Sequence, residues 1–159
     1  MKLFIGVDPG ASGAIAGMDD DGRIVQVIRL ADTEAEVAER FGLLIGSYDT
    51  VFAYLEKVHA MPKQGVVSSF KFGQSYGFLR GVLTASMVPF DTVAPAKWQG
   101  VMGCRTKGDK NVSKQKAGQL FPAVKVFHWN ADALLLAEYC RRTRMGMKGA
   151  ESGIAEVVG

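Results

Sequence analysis

The sequence contains few cysteines and no long apolar run. Cys104 and Cys140 are isolated thiols without the spacing of a metal site, which is typical of a reduced, cytosolic setting. No apolar stretch approaches the roughly 18 residues needed to cross a bilayer, and Lys2 leads into a predicted strand rather than a signal peptide. Internal repeats and low-complexity segments are also lacking. We therefore expect a cytoplasmic protein with no membrane partner.

The length and composition are those of one ordinary globular domain. The chain has 159 residues, of which 48% are hydrophobic and 22% are charged, so it can bury a substantial core. The residues at the carboxyl end are small and polar. We expect a single domain over residues 1–145 and a loose tail over residues 146–159.

Charge is unevenly distributed along the chain. The net charge is only +3, but residues 1–60 carry ten acidic and five basic side chains, whereas residues 91–148 carry eleven basic and four acidic ones. Basic residues gathered in one half favour a polyanionic partner such as nucleic acid. Solvated helix faces are the alternative explanation.

The most informative segment opens the chain. Residues 3–8 are apolar or glycine except for the last, Asp8, which is typical of a strand buried on both faces. Pro9 and Gly10 then form a turn. A carboxylate at the carboxyl end of a central strand lies where α/β sheets place their functional sites. Because a buried strand has no structural need for this charge, Asp8 is the first candidate functional residue.

Apolar periodicity predicts an α/β fold with a central mixed five-stranded sheet, an antiparallel meander plus parallel strands, flanked by helices. The meander contains an Asp-Gly hairpin turn, and Thr33 and Glu36 form a capping box at the first helix. Residues 100–109 are a glycine-rich basic loop, and residues 124–127 are briefly extended. The predicted strands cover residues 3–8, 12–18, 23–30, 51–58 and 90–94, and the predicted helices cover residues 33–47, 67–86, 95–98, 110–121 and 130–143.

Glu56 lies near the carboxyl end of the fourth predicted strand. A helix separates this strand from the meander, so the strand can run parallel to the first one through a right-handed crossover. This arrangement sets Asp8 and Glu56 side by side at one edge of the sheet.

The helix over residues 67–86 carries a stripe of glycines at Gly73, Gly77 and Gly81. Glycine lowers helix stability, so the stripe indicates close approach of another backbone. Packing against the chain's own sheet and an interface between subunits are both consistent with it.

The last helix supplies a third acid, Asp132, in its first turn. An acid there commonly balances the helix dipole, but the apolar residues that follow are typical of a core, so this helix end should lie against the sheet. His128 precedes Asp132 by four residues and shares its face if the helix has begun.

Asp8, Glu56, His128 and Asp132 thus come from three separated segments to one sheet edge. Crowded carboxylates repel one another unless cations neutralise them, and oxygen ligands suit Mg²⁺ or Mn²⁺. Two such ions can activate a water and stabilise the leaving oxygen in phosphodiester hydrolysis. Together with the basic half of the chain, this cluster predicts a metal-dependent nuclease.

Six short segments follow one another in the order of a known family and span most of the chain. They are IGVDPG at 5–10, LEKV at 55–58, SFKFGQSYG at 69–77, PAKW at 95–98, DK at 109–110 and ADAL at 131–134. On these segments the chain resembles the RuvC-like Holliday junction resolvases, most closely their bacteriophage branch. The resemblance implies a ribonuclease-H-like fold, a homodimer, and paired nicking of four-way DNA junctions with Mg²⁺.

By position, Asp8, Glu56 and Asp132 match three acids of that family. The family's fourth position is usually an aspartate three or four residues before Asp132. Some members use histidine there, so His128 is the implied fourth ligand, and the two residues after it are poorer candidates. The resemblance implies that these four residues hold two Mg²⁺ or Mn²⁺ ions per active site.

The resemblance also implies a set of DNA contacts. Lys97 and Lys110 match basic residues at the cleaved backbone, and their place beside the glycine-rich loop favours phosphate contact. His59 stands three residues after Glu56, where the family often has an aromatic wedge. The expected DNA-binding residues are Lys97, Arg105, Lys107, Lys110, Lys114, His59, Phe70 and Gln74. A phage-encoded protein of this kind would act in the cytoplasm of the bacterial host.

Three alternatives stay open at this point. A less selective nuclease would cut flaps, forks and other branches. Residues 8–13 resemble the phosphate loop of actin-like kinases and ATPases, but those proteins need a second loop and a second lobe, for which 159 residues leave no room. The third alternative is a junction-binding protein that has lost catalysis, which the non-acidic fourth position motivates.

Overall fold

The computed structural model describes residues 1–59 and 63–147. The order of its elements confirms the predicted order of strands and helices. The predicted tail lies outside the described residues from position 148 onward. The strands are β1 (Lys2–Asp8), β2 (Ala14–Asp19), β3 (Ile24–Arg29), β4 (Thr50–Glu56) and β5 (Phe90–Val93), and the helices are α1 (Glu34–Ile45), α2 (Val66–Ala85), α3 (Pro95–Met102), α4 (Lys110–Leu120) and α5 (Ala131–Arg144).

The five strands form one mixed sheet in the order β3-β2-β1-β4-β5. β1 pairs antiparallel with β2 and parallel with β4, while β3 and β5 occupy the two edges. The predicted sheet of an antiparallel meander plus parallel strands is therefore confirmed. β1 is the central strand and has helices on both faces, which explains why its sequence is a nearly continuous apolar run.

Alternate residues of β1 enter two different cores, as the two-residue period of a strand requires. Leu3, Ile5 and Val7 pack on the side of α1 and α2. Phe4 packs on the opposite side, where α3, α4 and α5 contribute Trp98 and a run of buried residues from α5. The sheet thus lies between two layers of helices, with one hydrophobic core on each of its faces.

Gly6 allows α5 to lie directly on β1. A Cβ atom at this position would stand 2.3 Å from both the Ala133 oxygen and the Ala137 nitrogen, which are backbone atoms of α5. Only glycine permits this approach. As a result the first turn of α5 is held close to the carboxyl end of β1.

The first helix begins as predicted. The Thr33 hydroxyl accepts a hydrogen bond from the Glu36 backbone at 3.3 Å, and the Glu36 carboxylate accepts one from the Thr33 backbone at 3.0 Å. This capping box satisfies two backbone donors at the start of α1.

None of the helices in the described part of the chain combines the length and apolarity needed to cross a membrane.

The glycine stripe of α2 faces away from the sheet. Gly73, Gly77 and Gly81 are exposed, and a Cβ atom at any of them would meet no atom of the described residues within 4 Å. Leu79 and Leu83 instead bury against the sheet. The proposed packing of the stripe on the chain's own sheet is therefore wrong, and the subunit interface stays a prediction.

Two segments near the predicted site differ from expectation. α3 continues past Trp98 to Met102 and ends where Gly103 adopts a left-handed φ of 66°, so the basic loop starts at Gly103 rather than at residue 100. Residues 124–127 form no strand. The Asn130 side chain holds that segment in place, because it accepts a hydrogen bond from the Phe127 backbone at 2.8 Å and donates one to the Lys125 carbonyl at 3.1 Å.

Candidate active site

The carboxyl ends of β1 and β4 bring two acids to one edge of the sheet. The two strands run parallel with Val7 opposite Leu55, so Asp8 and Glu56 end neighbouring strands. Such strands lie about 4.8 Å apart. Because Val7 and Leu55 both enter the α1–α2 core, Asp8 and Glu56 point to the opposite face, which α5 covers.

A tight loop fixes Asp8 at the end of its strand. The Gly10 backbone donates a hydrogen bond to Asp8 Oδ1 at 3.3 Å, and the Gly13 backbone donates one to the Gly10 carbonyl at 2.8 Å. A Cβ atom at Gly13 would stand 2.1 Å from the Asp8 carbonyl oxygen. The loop can therefore close over Asp8 only with glycine at position 13.

Asp132 reaches the same edge from the first turn of α5. Its negative charge raises the pKa of both Asp8 and Glu56, which places the three carboxylates within one another's electrostatic reach. The structure therefore brings together three of the four acids and ligands expected from the sequence.

The pKa of each of the three carboxyl groups is raised above its ordinary value. Burial, followed by the charge of Asp132, raises the pKa of Asp8 from 3.8 to about 6. Burial, followed by the charge of Asp8, raises the pKa of Glu56 from 4.5 to about 7. Burial also raises the pKa of Asp132. A divalent cation bound among buried carboxylates would remove the repulsion between them and favour their ionised form.

The site includes a tryptophan to which the sequence assigned no role. The Trp98 indole Nε1 donates a 2.7 Å hydrogen bond to Glu56 Oε2 and so opposes the rise in the Glu56 pKa. Trp98 is fully buried in α3, the helix that follows β5, and β5 is the strand paired with β4. The indole thus fixes the orientation of the Glu56 carboxylate from inside the core.

Ser113 is a second residue of the site that the sequence did not single out. It is buried on α4, and its interaction with Asp132 lowers the pKa of that carboxyl. Its hydroxyl nevertheless has no hydrogen-bond partner within bonding geometry among the described residues. It is therefore an unsatisfied polar group beside the carboxylates.

Lys110 is a basic residue close enough to the acids to act on all three of them. It is the first residue of α4, and its charge lowers the pKa of Asp8, Glu56 and Asp132 alike. The other predicted basic contacts lie on α3, on the following loop and on α4. Lys97, Arg105 and Lys107 are exposed, and Lys114 is half-buried.

His128 lies outside this group. It is exposed in the turn before α5, and it makes no contribution to the pKa shifts of the three acids. Within residues 1–59 and 63–147, no three His, Cys, Asp or Glu side chains come close enough to one another to hold a metal ion as they stand. The role of His128 as fourth ligand stays a prediction.

The remaining predicted DNA contacts are His59, Phe70 and Gln74, which lie on α2 or beside it. His59 lies in a hollow beside Phe72 and Pro95, near the carboxyl end of β4. Phe70 is 74% exposed on α2. Gln74 faces a different hollow, which it shares with Asp32 and Lys71. Phe70 and Gln74 are four residues apart on α2 and so share one face of that helix, and the DNA contacts of all three residues stay predictions.

The raised pKa of Glu56 predicts a pH-dependent effect on stability. In the folded chain the carboxyl keeps its proton up to about pH 7, whereas its ordinary value is 4.5. Its contribution to stability is therefore present below pH 4.5 and is lost as the pH rises through 7. Without metal, Glu56→Gln should raise the free energy of unfolding at pH 8 by about 1–2 kcal/mol after allowance for solvent screening, and by nothing at pH 4.5. Thermal melts in EDTA at both pH values measure this difference.

Glu36→Gln is the matched control. The Thr33 hydroxyl holds the pKa of Glu36 below its ordinary value, so this substitution should bring no gain at pH 8. Equal melting temperatures of Glu56→Gln and the unmodified chain at pH 8 would show that the Glu56 carboxylate is not strained by its surroundings.

Comparison with known proteins identifies the fold. No family model matches the sequence, and no curated protein matches it at the sequence level. Two solved structures of Thermus thermophilus RuvC are similar to it, each with a TM-score of 0.62. One shares 15% identity over 91% of this chain and 97% of that chain. The other, in complex with a Holliday junction substrate, shares 16% over 92% and 97%. The chain therefore has a RuvC-like, ribonuclease-H-like fold, as its sequence motifs implied.

Proposed function

We propose that this chain is a divalent-metal-dependent endonuclease that cuts branched DNA, and four-way junctions in particular. The observation that carries the proposal is that Asp8, Glu56 and Asp132 share one edge of a RuvC-like sheet, with Lys110 within their field. Junctions are the proposed DNA class because one similar solved structure contains a Holliday junction substrate.

The chemistry of the donor set fits Mg²⁺ or Mn²⁺. Asp8, Glu56 and Asp132 offer carboxylate oxygens, which these ions prefer. Glu56 has one oxygen engaged by Trp98, so the other is available to a metal. Without a cation the three carboxylates repel one another, and their side chains must turn toward a shared ion. Two bound ions would supply an activated water and would stabilise the leaving oxygen.

The surrounding residues position the DNA and the carboxylates. Lys110, at the amino end of α4, would contact a non-bridging oxygen of the phosphate to be cut. The exposed cations of the loop and of α3 would contact neighbouring phosphates, which fixes the register of the strand without reading its sequence. Trp98 keeps the Glu56 carboxylate oriented, so little reorganisation is needed when the substrate arrives.

The fourth metal ligand is proposed to be His128. His128→Ala should then lose most of the cleavage activity, and His128→Asp should retain it and shift the preference from Mn²⁺ toward Mg²⁺, because imidazole nitrogen suits Mn²⁺ better. Cleavage rates in each metal measure this. If both variants keep the unmodified rate and the same metal preference, the site operates on three acids alone.

The proposed enzyme is a homodimer, because two symmetric nicks require two active sites related by a twofold axis. The exposed glycine stripe of α2 is the proposed interface. Gly77→Arg should convert a particle of twice the 17.1 kDa chain mass into a monomer in light scattering. Gly42→Arg, on the open surface of α1, is the matched control and should leave the dimer intact. A Gly77→Arg protein that is still a dimer would show that the interface lies on another surface.

The function is tested by side-by-side cleavage of a static four-way junction, a flap, a fork and a linear duplex with Mg²⁺ and with Mn²⁺. Preference for the junction supports the proposal, and equal cutting of all branches supports the broader nuclease. Tight junction binding without cutting in either metal supports a protein that has lost catalysis. The bacteriophage origin and the cytoplasmic location stay predictions.

A further inference from the structure

A cluster of two cations and two aromatic rings lies on the surface just before α5. We call Arg29, Lys125, Phe127 and Trp129 the cation–aromatic patch. The Phe127 and Trp129 rings stack with centroids 5.8 Å apart and planes 14° from parallel. The Arg29 guanidinium lies 5.1 Å from the Trp129 centroid, and the Lys125 ammonium lies 5.2 Å from the Phe127 centroid. Each ring therefore holds one cation.

The two cations of the patch differ from other cations of the chain in their ionic contacts. Arg23, Arg40 and Arg144 pair with Asp21, Asp32 and Asp91, respectively. In the part of the chain that the structure describes, neither Arg29 nor Lys125 forms an ion pair with a carboxylate. Both are exposed, and Phe127 is 37% exposed. The patch thus presents unneutralised positive charge that the rings hold in position.

The patch continues the sheet edge that carries the acids. Arg29 is opposite Ala14 on β2, and Ala14 is opposite Asp8 on β1. Residues directly opposite one another in a sheet point to the same face, so Arg29 and Asp8 share the face that α5 covers. Two strand spacings separate them, which is about 10 Å.

The segment that carries the rings is fixed relative to Asp132. Buried Asn130 binds the Lys125 carbonyl and the Phe127 backbone nitrogen, and α5 begins at the next residue. The position of Phe127 and Lys125 is therefore set by the same element that places Asp132. A ligand that lies across the three acids and extends past β2 must meet the patch.

We propose that the cation–aromatic patch binds the DNA strand on one side of the cleavage position, with phosphates on Arg29 and Lys125 and the exposed Phe127 ring against a sugar or an unpaired base. The proposal rests on the proposed function for the position of the cut. DNA is the occupant that the charge favours, because unpaired cations beside aromatic rings suit a phosphate backbone and its bases. The separation of about 10 Å between Arg29 and Asp8 places these contacts within about three nucleotides of the phosphate at the acids.

The test compares Arg29→Ala/Lys125→Ala with a matched double variant, Lys2→Ala/Arg23→Ala. The control removes two exposed cations from the opposite end of the same sheet. Fluorescence anisotropy in EDTA measures the affinity for a synthetic four-way junction over a range of NaCl concentrations. The slope of log affinity against log salt should fall by about 2 in the patch variant, since each phosphate contact contributes about 0.9. The affinity should fall by about tenfold or more, and the control should keep the slope of the unmodified protein.

A second measurement locates the contact. Single neutral methylphosphonate linkages are placed along the cut strand, one per substrate. Linkages one to about three nucleotides from the cleavage position, on one side of it, should weaken binding by the unmodified protein but not by the patch variant. Arg29→Lys/Lys125→Arg should restore the slope, because charge rather than side-chain identity is required.

An unchanged slope in the patch variant, or a fall equal to that of the control, would overturn the inference. If the unmodified protein binds the junction but does not cut it with Mg²⁺ or Mn²⁺, the proposed enzymatic function fails, and the binding comparison still decides the role of the patch. If it binds no DNA, both proposals fall.

Discussion

Asp8→Asn is expected to abolish junction cleavage while junction binding stays intact or becomes tighter. Asp8 ends the central strand beside Glu56, and the charge of Asp132 raises its pKa. Its carboxylate accepts a hydrogen bond from the Gly10 backbone. As a proposed ligand of both ions it would be needed for the activated water and for the leaving oxygen. A loss of about a thousandfold or more in rate corresponds to about 4 kcal/mol of transition-state stabilisation.

The binding part of this prediction follows from charge. The substitution removes one negative charge from a cluster that a phosphate must approach, so repulsion falls while Lys110 and the surrounding cations remain. Gel shifts in EDTA and single-turnover cleavage with Mg²⁺, on the same synthetic junction, separate the two effects. Asp20→Asn, in the exposed β2–β3 turn, is the matched control. Normal cutting by Asp8→Asn would end the metal-site proposal.

Local sequence patterns sufficed for those features that depend on neighbouring residues. The apolar run before Asp8 predicted a central strand, and Thr33 and Glu36 predicted the start of α1. The predicted helix between the meander and the fourth strand, taken with the crossover rule, then placed Glu56 beside Asp8. These predictions succeeded because each element is set by a short stretch of chain, and the handedness of crossovers leaves few ways to pair the strands.

The surroundings of the glycine stripe of α2 could not be predicted in the same way. The helix has an apolar stripe that includes Leu79 and Leu83 and a separate stripe of glycines, and the sequence alone does not tell which of the two packs on the sheet. Leu79 and Leu83 turn inward because the crossover from β4 to β5 sets the angle of the helix. That constraint arises from tertiary structure and cannot be read from the sequence of the helix itself.

The contacts that complete the site join distant parts of the chain. Trp98 and Glu56 are 42 residues apart, and Arg29 meets Trp129 only because β3 and the segment before α5 end at the same edge of the sheet. A periodicity within one element carries no information about such pairs. A tryptophan in the helix that follows the neighbouring strand was the available clue for Trp98, since buried indole nitrogens need an acceptor.

Gly6→Ala is expected to cause the largest loss of stability of any single substitution considered. The added methyl group would meet the Ala133 oxygen and the Ala137 nitrogen at 2.3 Å, and these are backbone atoms that no rotamer change can move. α5 must therefore move away from β1, and the buried side chains between the helix and the strand lose contact with one another. Overpacking of this kind should cost about 3 kcal/mol or more, which lowers the melting temperature by roughly 10 °C.

The same substitution should also impair the site, because β1 carries Asp8 and α5 carries Asp132. Where the variant is still folded, cleavage should fall more than junction binding, since the proposed metal ligands are displaced while the surface cations remain. Gly42→Ala is the matched control: a Cβ atom there meets no described atom within 4 Å, and alanine favours a helix over glycine by about 1 kcal/mol. Thermal melts and cleavage assays on both variants measure the contrast. A Gly6→Ala protein as stable and active as Gly42→Ala would show that α5 does not lie on β1 as described.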